Sequence, residues 1–468
     1  MQSRLKLLIT ILLTATPLAR AQDMPGMKMP APKRPTAEEP TRPDAASGSM
    51  PGMSMEPAQN LIESILQHSS SGTTAEPPSV PMHMLMTHRG NWDLMLHGIG
   101  FVSDIQQHAT YPRGKGKLFS TNWIMPMAMR KLGPGQITFR TMLSIEPATI
   151  THGFYPELTQ QGETANGKPI IDGQHPHNFF MELAALYDLH LGEHALLSLY
   201  AAPVGDPAIG PTAYPHRQSA SEDPIAALGH HQQDSTHIAF NVLTAGLTYK
   251  QLRLEGSGFH GAEPTEARWH FQPSPNGLAI DSYSTRLTWV PASNISAQYS
   301  IGHITSPEAL RLGEDQRRQT ASVMYNRPIG AHHDTTSMPG MDMSTPATGN
   351  WSNTVLWGQT KSLVNGSHEN SYLFESLLNF RTCNYAWTRV EVAGRSSELL
   401  TPTNLAESPI GHVQAYTLGY DRDYRIARHV LAAPGAQFTL YRTPDLLAPT
   451  YGRTPFAAVA FIRFRITR

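Results

Sequence analysis

From about Asn91 to the C-terminus, apolar side chains recur at every second position, and that period decides what this chain can become. A period of two marks a strand with two unlike faces. In the segment from Ile295 to Ile301, Ile295, Ala297, Tyr299 and Ile301 share one face, while Ser296, Gln298 and Ser300 share the other. Further on, Tyr372, Phe374, Leu378 and Phe380 face one way and Ser371, Glu375 and Asn379 the other. Near the end, Phe456, Ala458, Ala460, Ile462, Phe464 and Ile466 alternate with positions that include Arg463 and Arg465. One face suits lipid and the other water. A soluble sandwich or propeller also uses alternating strands, but with so many aliphatic and aromatic side chains on its outer face it would aggregate.

The N-terminus supplies the route to a membrane. Arg4 and Lys6 precede an apolar run from Leu7 to Ala15, and Ala19-Arg20-Ala21 offers the small residues that a signal peptidase reads, so residues 1–21 are expected to be a cleaved signal peptide. The one cysteine, Cys383, lies far downstream, which argues against lipid attachment at the cleavage point and leaves no partner for an internal disulfide. After the signal no stretch approaches the ~18 apolar residues of a spanning helix, which leaves a closed barrel as the way to cross a bilayer. Charged residues are 16% of the chain, against roughly 25% in ordinary soluble domains. A formal net charge of −1 argues against a nucleic-acid partner.

Residues 22–81, rich in Pro, Ser, Thr, Ala, Gly and Met, cannot bury enough apolar surface to offset ordering, and are expected to form a disordered periplasmic extension. An exception is Leu61 to Gln67, where Leu61, Ile62, Ile65 and Leu66 suit a short amphipathic helix that docks on or plugs the barrel. Residues 82–468 are the expected barrel. Short turns at Gly133-Pro134-Gly135, Gly192-Glu193, Lys250-Gln251, Pro291-Ala292-Ser293 and Arg381 to Asn384 alternate with long connections at 146–178, 204–236 and 261–280. Outer-membrane barrels alternate short periplasmic turns with longer outer loops in this way. The fold expected is therefore all-β: a transmembrane antiparallel β-barrel of the outer-membrane type, with about 16 strands within a range of 12 to 16. Arg253 with Glu255, Arg389 with Glu391, and Arg286 should point into the lumen, because facing lipid each would cost roughly 2–4 kcal/mol near the midplane.

One hexapeptide recurs three times: Met24-Pro25-Gly26-Met27-Lys28-Met29, Met50-Pro51-Gly52-Met53-Ser54-Met55 and Met338-Pro339-Gly340-Met341-Asp342-Met343. Pro-Gly favours a tight turn that brings the flanking thioethers together. Soft thioethers select Cu(I) and cannot form disulfides in an oxidising compartment. The third repeat falls in a connection, about 327–349, that the strand count assigns to the periplasmic side, so all three face the same water. A methionine-biased tail acting as an oxidation sink is the competing account.

With these repeats beside a barrel, the chain resembles outer-membrane copper-resistance proteins of the B type, which join an exported β-barrel to a methionine-rich periplasmic segment. The resemblance covers architecture and repeats, and it implies copper tolerance, with transport and sequestration both open.

The 22 histidines are a second source of ligands. In Gln174-His175-Pro176-His177-Asn178, proline holds the backbone extended so that His175 and His177 can chelate Cu(II), Zn or Ni, with Glu182 as an additional ligand or supporting partner. The connection from Gly205 to Thr236 carries His216-Arg217, Glu222-Asp223, His230-His231 and Asp234, which serve equally well as a hydrogen-bonded network narrowing a pore. His332 and His333 lie beside the third repeat. No nucleophile elbow, zinc-protease helix, phosphate loop or dinucleotide fingerprint occurs, so a non-enzymatic role is expected. The reading is an outer-membrane barrel, in contact with outer-membrane lipid and periplasmic copper-handling proteins, that binds copper and holds it or passes it outward. Its rivals are a general channel for another small solute, with incidental methionine segments, and a surface-loop metal sensor or adhesin.

Overall fold

The alternation becomes sixteen antiparallel strands in the computed structural model, which describes residues 58–234, 239–271, 279–330, 347–400 and 408–467. In chain order they are β1 (Trp92–His108), β2 (Gly116–Leu132), β3 (Gly135–Leu143), β4 (Phe180–His190), β5 (Ala195–Gly205), β6 (Ala239–Tyr249), β7 (Leu252–His260) and β8 (Ser282–Ala292). There follow β9 (Ile295–Ile304), β10 (Gln316–Ile329), β11 (Gly349–Ser362), β12 (His368–Phe380), β13 (Asn384–Arg395), β14 (Gly411–Arg422), β15 (Val430–Arg442) and β16 (Phe456–Ile466). Each pairs with the next, and β1 pairs with β16, Gly100 opposite Phe464 and Ser103 opposite Phe461, so the sheet closes on itself. Closure removes every free edge, which a bilayer demands. The chain divides into two compact units, Met1–Pro51 and Gly52–Arg468. The barrel belongs to the second, and the first lies outside the described residues, as do Met53, Met55, His332, His333 and the third hexapeptide.

Two-residue turns join β2 to β3, β6 to β7 and β8 to β9 at one end. Gly133 (φ 57) and Lys250 (φ 52) take the left-handed backbone that such tight hairpins need. At the other end the connections after β3, β5 and β7 span 144–179, 206–238 and 261–281. In barrels of the outer-membrane type the short-turn end faces the periplasm. The connection 330–348, which carries the third hexapeptide, joins β10 to β11 at that same end.

Outward positions form an apolar belt that includes Leu247, Leu254, Leu287, Val323, Val355 and Leu418, all exposed. Tyr249, Trp289, Trp351 and Tyr420, also exposed, cluster toward the short-turn end, where amphipathic rings meet the lipid headgroups. Arg253, Glu255, Arg286, Arg389 and Glu391 are buried on the inner face. Arg286 pairs with Glu255 at 2.9 Å, Arg253 with the same carboxylate at 3.0 Å, and Arg389 with Glu391 at 2.9 Å.

Among the described residues, three segments of the chain's own pack inside the wall. One is the connection after β3, whose Thr159 and Gln160 accept from Arg395 on β13. Residues 58–84, which the sequence reading assigns almost entirely to the flexible extension, pack inside the barrel; their polar backbone finds partners on the wall. The expected helix forms as α1 (Leu61–Gln67), its first turn capped by Asn60, whose side chain accepts from the Glu63 amide. Leu61 and Ile65 pack on Ala75, Leu196 and Val290. Further along, Arg286 donates to Thr73 (2.8 Å), Ser296 to the Ala75 carbonyl (2.8 Å), and Asn326 to the Ser79 carbonyl (2.7 Å). The third segment is the connection after β5, which folds inward rather than standing outside. Arg217 donates to Glu375 on β12 (2.8 Å), the Leu228 amide to Glu391 on β13 (2.6 Å), and Arg389 to the carbonyls of Ile225 and Ala226 (2.9 and 3.0 Å). Glu222 reaches β16, pairing with Arg463 and Arg465.

Candidate metal centre

Two of the histidines singled out from sequence meet on one carboxylate. Glu163 begins a small hairpin, Glu163–Ala165 paired with Lys168–Ile170, within the connection between β3 and β4. His175 follows on the same connection, and His231 arrives on the helical turn His230–Gln233 of the inward-folded segment. His231 Nε2 lies 2.5 Å and His175 Nε2 3.2 Å from Glu163 Oε1. The His175 amide donates to Glu163 Oε2 (2.8 Å), and the Gln174 side chain to Oε1 (3.1 Å). One ligand atom from each of the three residues lies within 4.8 Å of the others.

The electrostatics favour an ionised carboxylate. Burial pushes Glu163 up, but His175 and His231 outweigh it and hold the group down to about 2. Burial, aided by Arg268, drives His175 down to about 3 against the pull of Glu163. His231 is raised, because Glu163 outweighs the burial that would lower it. The centre thus offers one carboxylate and two imidazoles, and a metal ion would take the place of the proton that Glu163 favours on His231. Two imidazoles and a carboxylate form a borderline donor set that suits Cu(II) or Zn(II).

The other sequence candidates go elsewhere. His177 does not join His175 as a chelating pair: its Nδ1 sits 3.0 Å from both oxygens of Glu146, and its Nε2 is 3.4 Å from the Tyr214 hydroxyl. The two imidazoles thus go to different carboxylates, His175 to Glu163 and His177 to Glu146. His230 Nδ1 caps the Ala227 carbonyl at 2.7 Å. Glu182 is no ligand to these loops; it forms a two-point ion pair with Arg140 (2.7 and 2.8 Å) and accepts from the Gly72 amide and the Tyr200 hydroxyl. Glu163 was missed because its convergence with His175 and His231 comes from tertiary folding of two long connections, which leaves no fixed spacing to read.

A second set was also missed, although a signal existed. Met82-His83-Met84-Leu85-Met86 and Met125-Pro126-Met127-Ala128-Met129 place methionine at every second position. On a strand that spacing puts three thioethers on one face. In the structure both runs join Met95, Met142 and Met181 in one apolar cluster with Val204 and Phe240.

No protein-family model and no curated protein matches the chain. Among solved structures it is similar to the anion-selective porin from Comamonas acidovorans, with 12% identity, a TM-score of 0.48, and coverage of 80% of this chain and 100% of that one. It is also similar to OmpF of Salmonella typhi in complex with daunomycin (8% identity, TM-score 0.46, 82% and 100% covered). Outer-membrane expressed OmpT of Vibrio cholerae is a third, with 6% identity, a TM-score of 0.45, and 81% and 99% covered.

Proposed function

We propose that this chain is a non-enzymatic outer-membrane barrel that binds periplasmic copper and supports copper tolerance, by holding the ion or passing it outward. The observation that carries the reading is the meeting of His175 and His231, from two separate connections, on Glu163. The methionines of the three hexapeptides would add thioethers for Cu(I) on the periplasmic side, with His332 and His333 offering imidazoles beside the third. Signal-peptide cleavage, and delivery from periplasmic copper-handling proteins, belong to the same proposal.

A general solute channel is the alternative. Two facts weigh against a wide one. The charges that would line it are engaged in holding the inward-folded segments, and the spaces left beside those segments include separate cavities of about 60, about 90 and about 440 Å³, the last beside α1 at the short-turn end.

The test is Cu(II) titration of the detergent-folded full chain, followed by electron paramagnetic resonance, against His175→Ala/His231→Ala. Imidazole nitrogen coupling in the wild type and its loss in the variant are expected. Identical spectra and affinities would remove the Glu163 centre from the account. A steady ohmic conductance of the wild-type protein in planar bilayers would favour the channel.

A further inference from the structure

The methionine cluster is placed as a column rather than a patch. Met86, on a short strand Leu85–Arg89 that pairs with the start of β1, stands opposite Met95, and Met95 opposite Met127 on β2, so three thioethers form one row across three neighbouring strands. Two residues further from the short-turn end, His97 stands opposite Met125. Residues two apart on a strand share a face and lie roughly 7 Å apart, so this second row continues the first up the inner wall. At its head, His216, delivered by the inward-folded segment, brings Nε2 to 3.1 Å from the sulfur of Met142. The His97 and His216 ring centres are 5.8 Å apart, and Trp123 lies 4.3 Å from His216. Both imidazoles line a cavity of about 90 Å³, together with Met82, His83, Met84 and Trp123.

Two features separate this cluster from ordinary packing. His97 is 8% exposed, and its Nε2 has no hydrogen-bond partner among the described residues. A buried polar atom in that state is costly unless something binds it. The second feature is the residue type: nine of the chain's twenty methionines are gathered here, where leucine or isoleucine would fill the same space. Methionine packs less specifically than these, but it adds a soft, polarisable donor.

We propose that His97, His216 and Met142 head a thioether-lined binding site for a soft monovalent cation, Cu(I) or Ag(I), inside the barrel wall, fed by the methionine column from the short-turn end. The ligand set selects the class of ion without help from the Glu163 centre; that the biological ion is copper rests on the function proposed above. The foot of the column, at Met86 and Met129, lies toward the short-turn end, the end at which β10 and β11 enter the connection bearing the third hexapeptide.

The test uses the full chain with all nine hexapeptide methionines changed to leucine, folded in detergent and titrated anaerobically with Cu(I) and, in chloride-free buffer, with silver nitrate. At least one tightly bound equivalent is expected, with X-ray absorption showing a mixed sulfur and nitrogen shell. Adding Met142→Leu and His216→Phe should weaken binding at least tenfold, while Met142→Leu alone, which keeps the volume, gives a smaller loss of the same kind. Heat-modifiable migration in gels checks that each variant is a folded barrel. Undiminished binding in the double substitution overturns the site. So does absence of binding in the hexapeptide-free chain when the wild type binds, an outcome that leaves the copper reading standing. Failure of the wild type to bind either ion removes both.

Discussion

Arg140 is the clamp that holds residues 68–72 inside the barrel, and replacing it with methionine should free that segment. The guanidinium is 1% exposed and its partner Glu182 is fully buried. Besides its two bonds to Glu182, Arg140 donates to the carbonyls of His68 (3.1 Å), Ser70 (2.6 Å) and Gly72 (2.5 Å). Arg140→Met strands a buried carboxylate, a loss that typically costs about 3–5 kcal/mol, and it also orphans backbone carbonyls. At ~1.4 kcal/mol per tenfold, local opening becomes roughly a hundred- to several-thousandfold more frequent. Amide hydrogen exchange read by mass spectrometry should show this acceleration for His68 to Ala75, with β11 to β13 unchanged. Adding Glu182→Gln removes the stranded charge and should recover part of the protection. If Arg140→Met leaves exchange in this segment as slow as in the wild type, the clamp does not hold it.

Burial raises Glu76 from 4.5 to about 7, opposed by a bond from the Gln218 amide and by Arg217. Its folded pKa lies above the unfolded one, so its contribution is full below pH ~4.5 and is lost as pH rises through about 7. Glu76→Gln should therefore flatten the pH dependence of exchange in this segment between those limits, which exchange measured across that range will check. Glu222→Ala leaves Arg463 and Arg465 without their shared loop partner; it should loosen the inward-folded segment by several kcal/mol and raise bilayer conductance above the wild-type level. Val355→Arg, on the lipid face at mid-strand, should cost about 2–4 kcal/mol in urea unfolding from lipid vesicles, whereas a substitution of no effect would contradict the assigned face.

Much of the barrel was legible because its two faces see different solvents. The alternation at Ile295 to Ile301 is reproduced side chain by side chain, with Ser296, Gln298 and Ser300 buried and Tyr299 exposed. Turn positions followed from Gly, Pro and the short spacing between strands, and α1 formed over the predicted Leu61 to Gln67. What escaped was whatever depends on the lumen being filled. Thr73, Ala75 and Ser79 look like linker, since nothing local tells them that Arg286, Ser296 and Asn326 wait on the wall to satisfy their polar groups. The Glu163 centre escaped for a related reason: its ligands come from two connections whose folding is set by contacts over more than fifty residues. The methionines at 82, 84, 86, 125, 127 and 129 carried a readable period, but methionine also fills apolar faces as ordinary packing, so the period by itself does not mark a ligand set.

The most direct test of copper binding is an anaerobic Cu(I) competition titration of the full chain against a variant with Met24, Met27, Met29, Met50, Met53, Met55, Met338, Met341 and Met343 all changed to leucine. Several tightly bound equivalents are expected in the wild type, with loss of most of them in the variant. Equally weak binding by both would contradict it, and would leave a barrel whose solute is something other than copper.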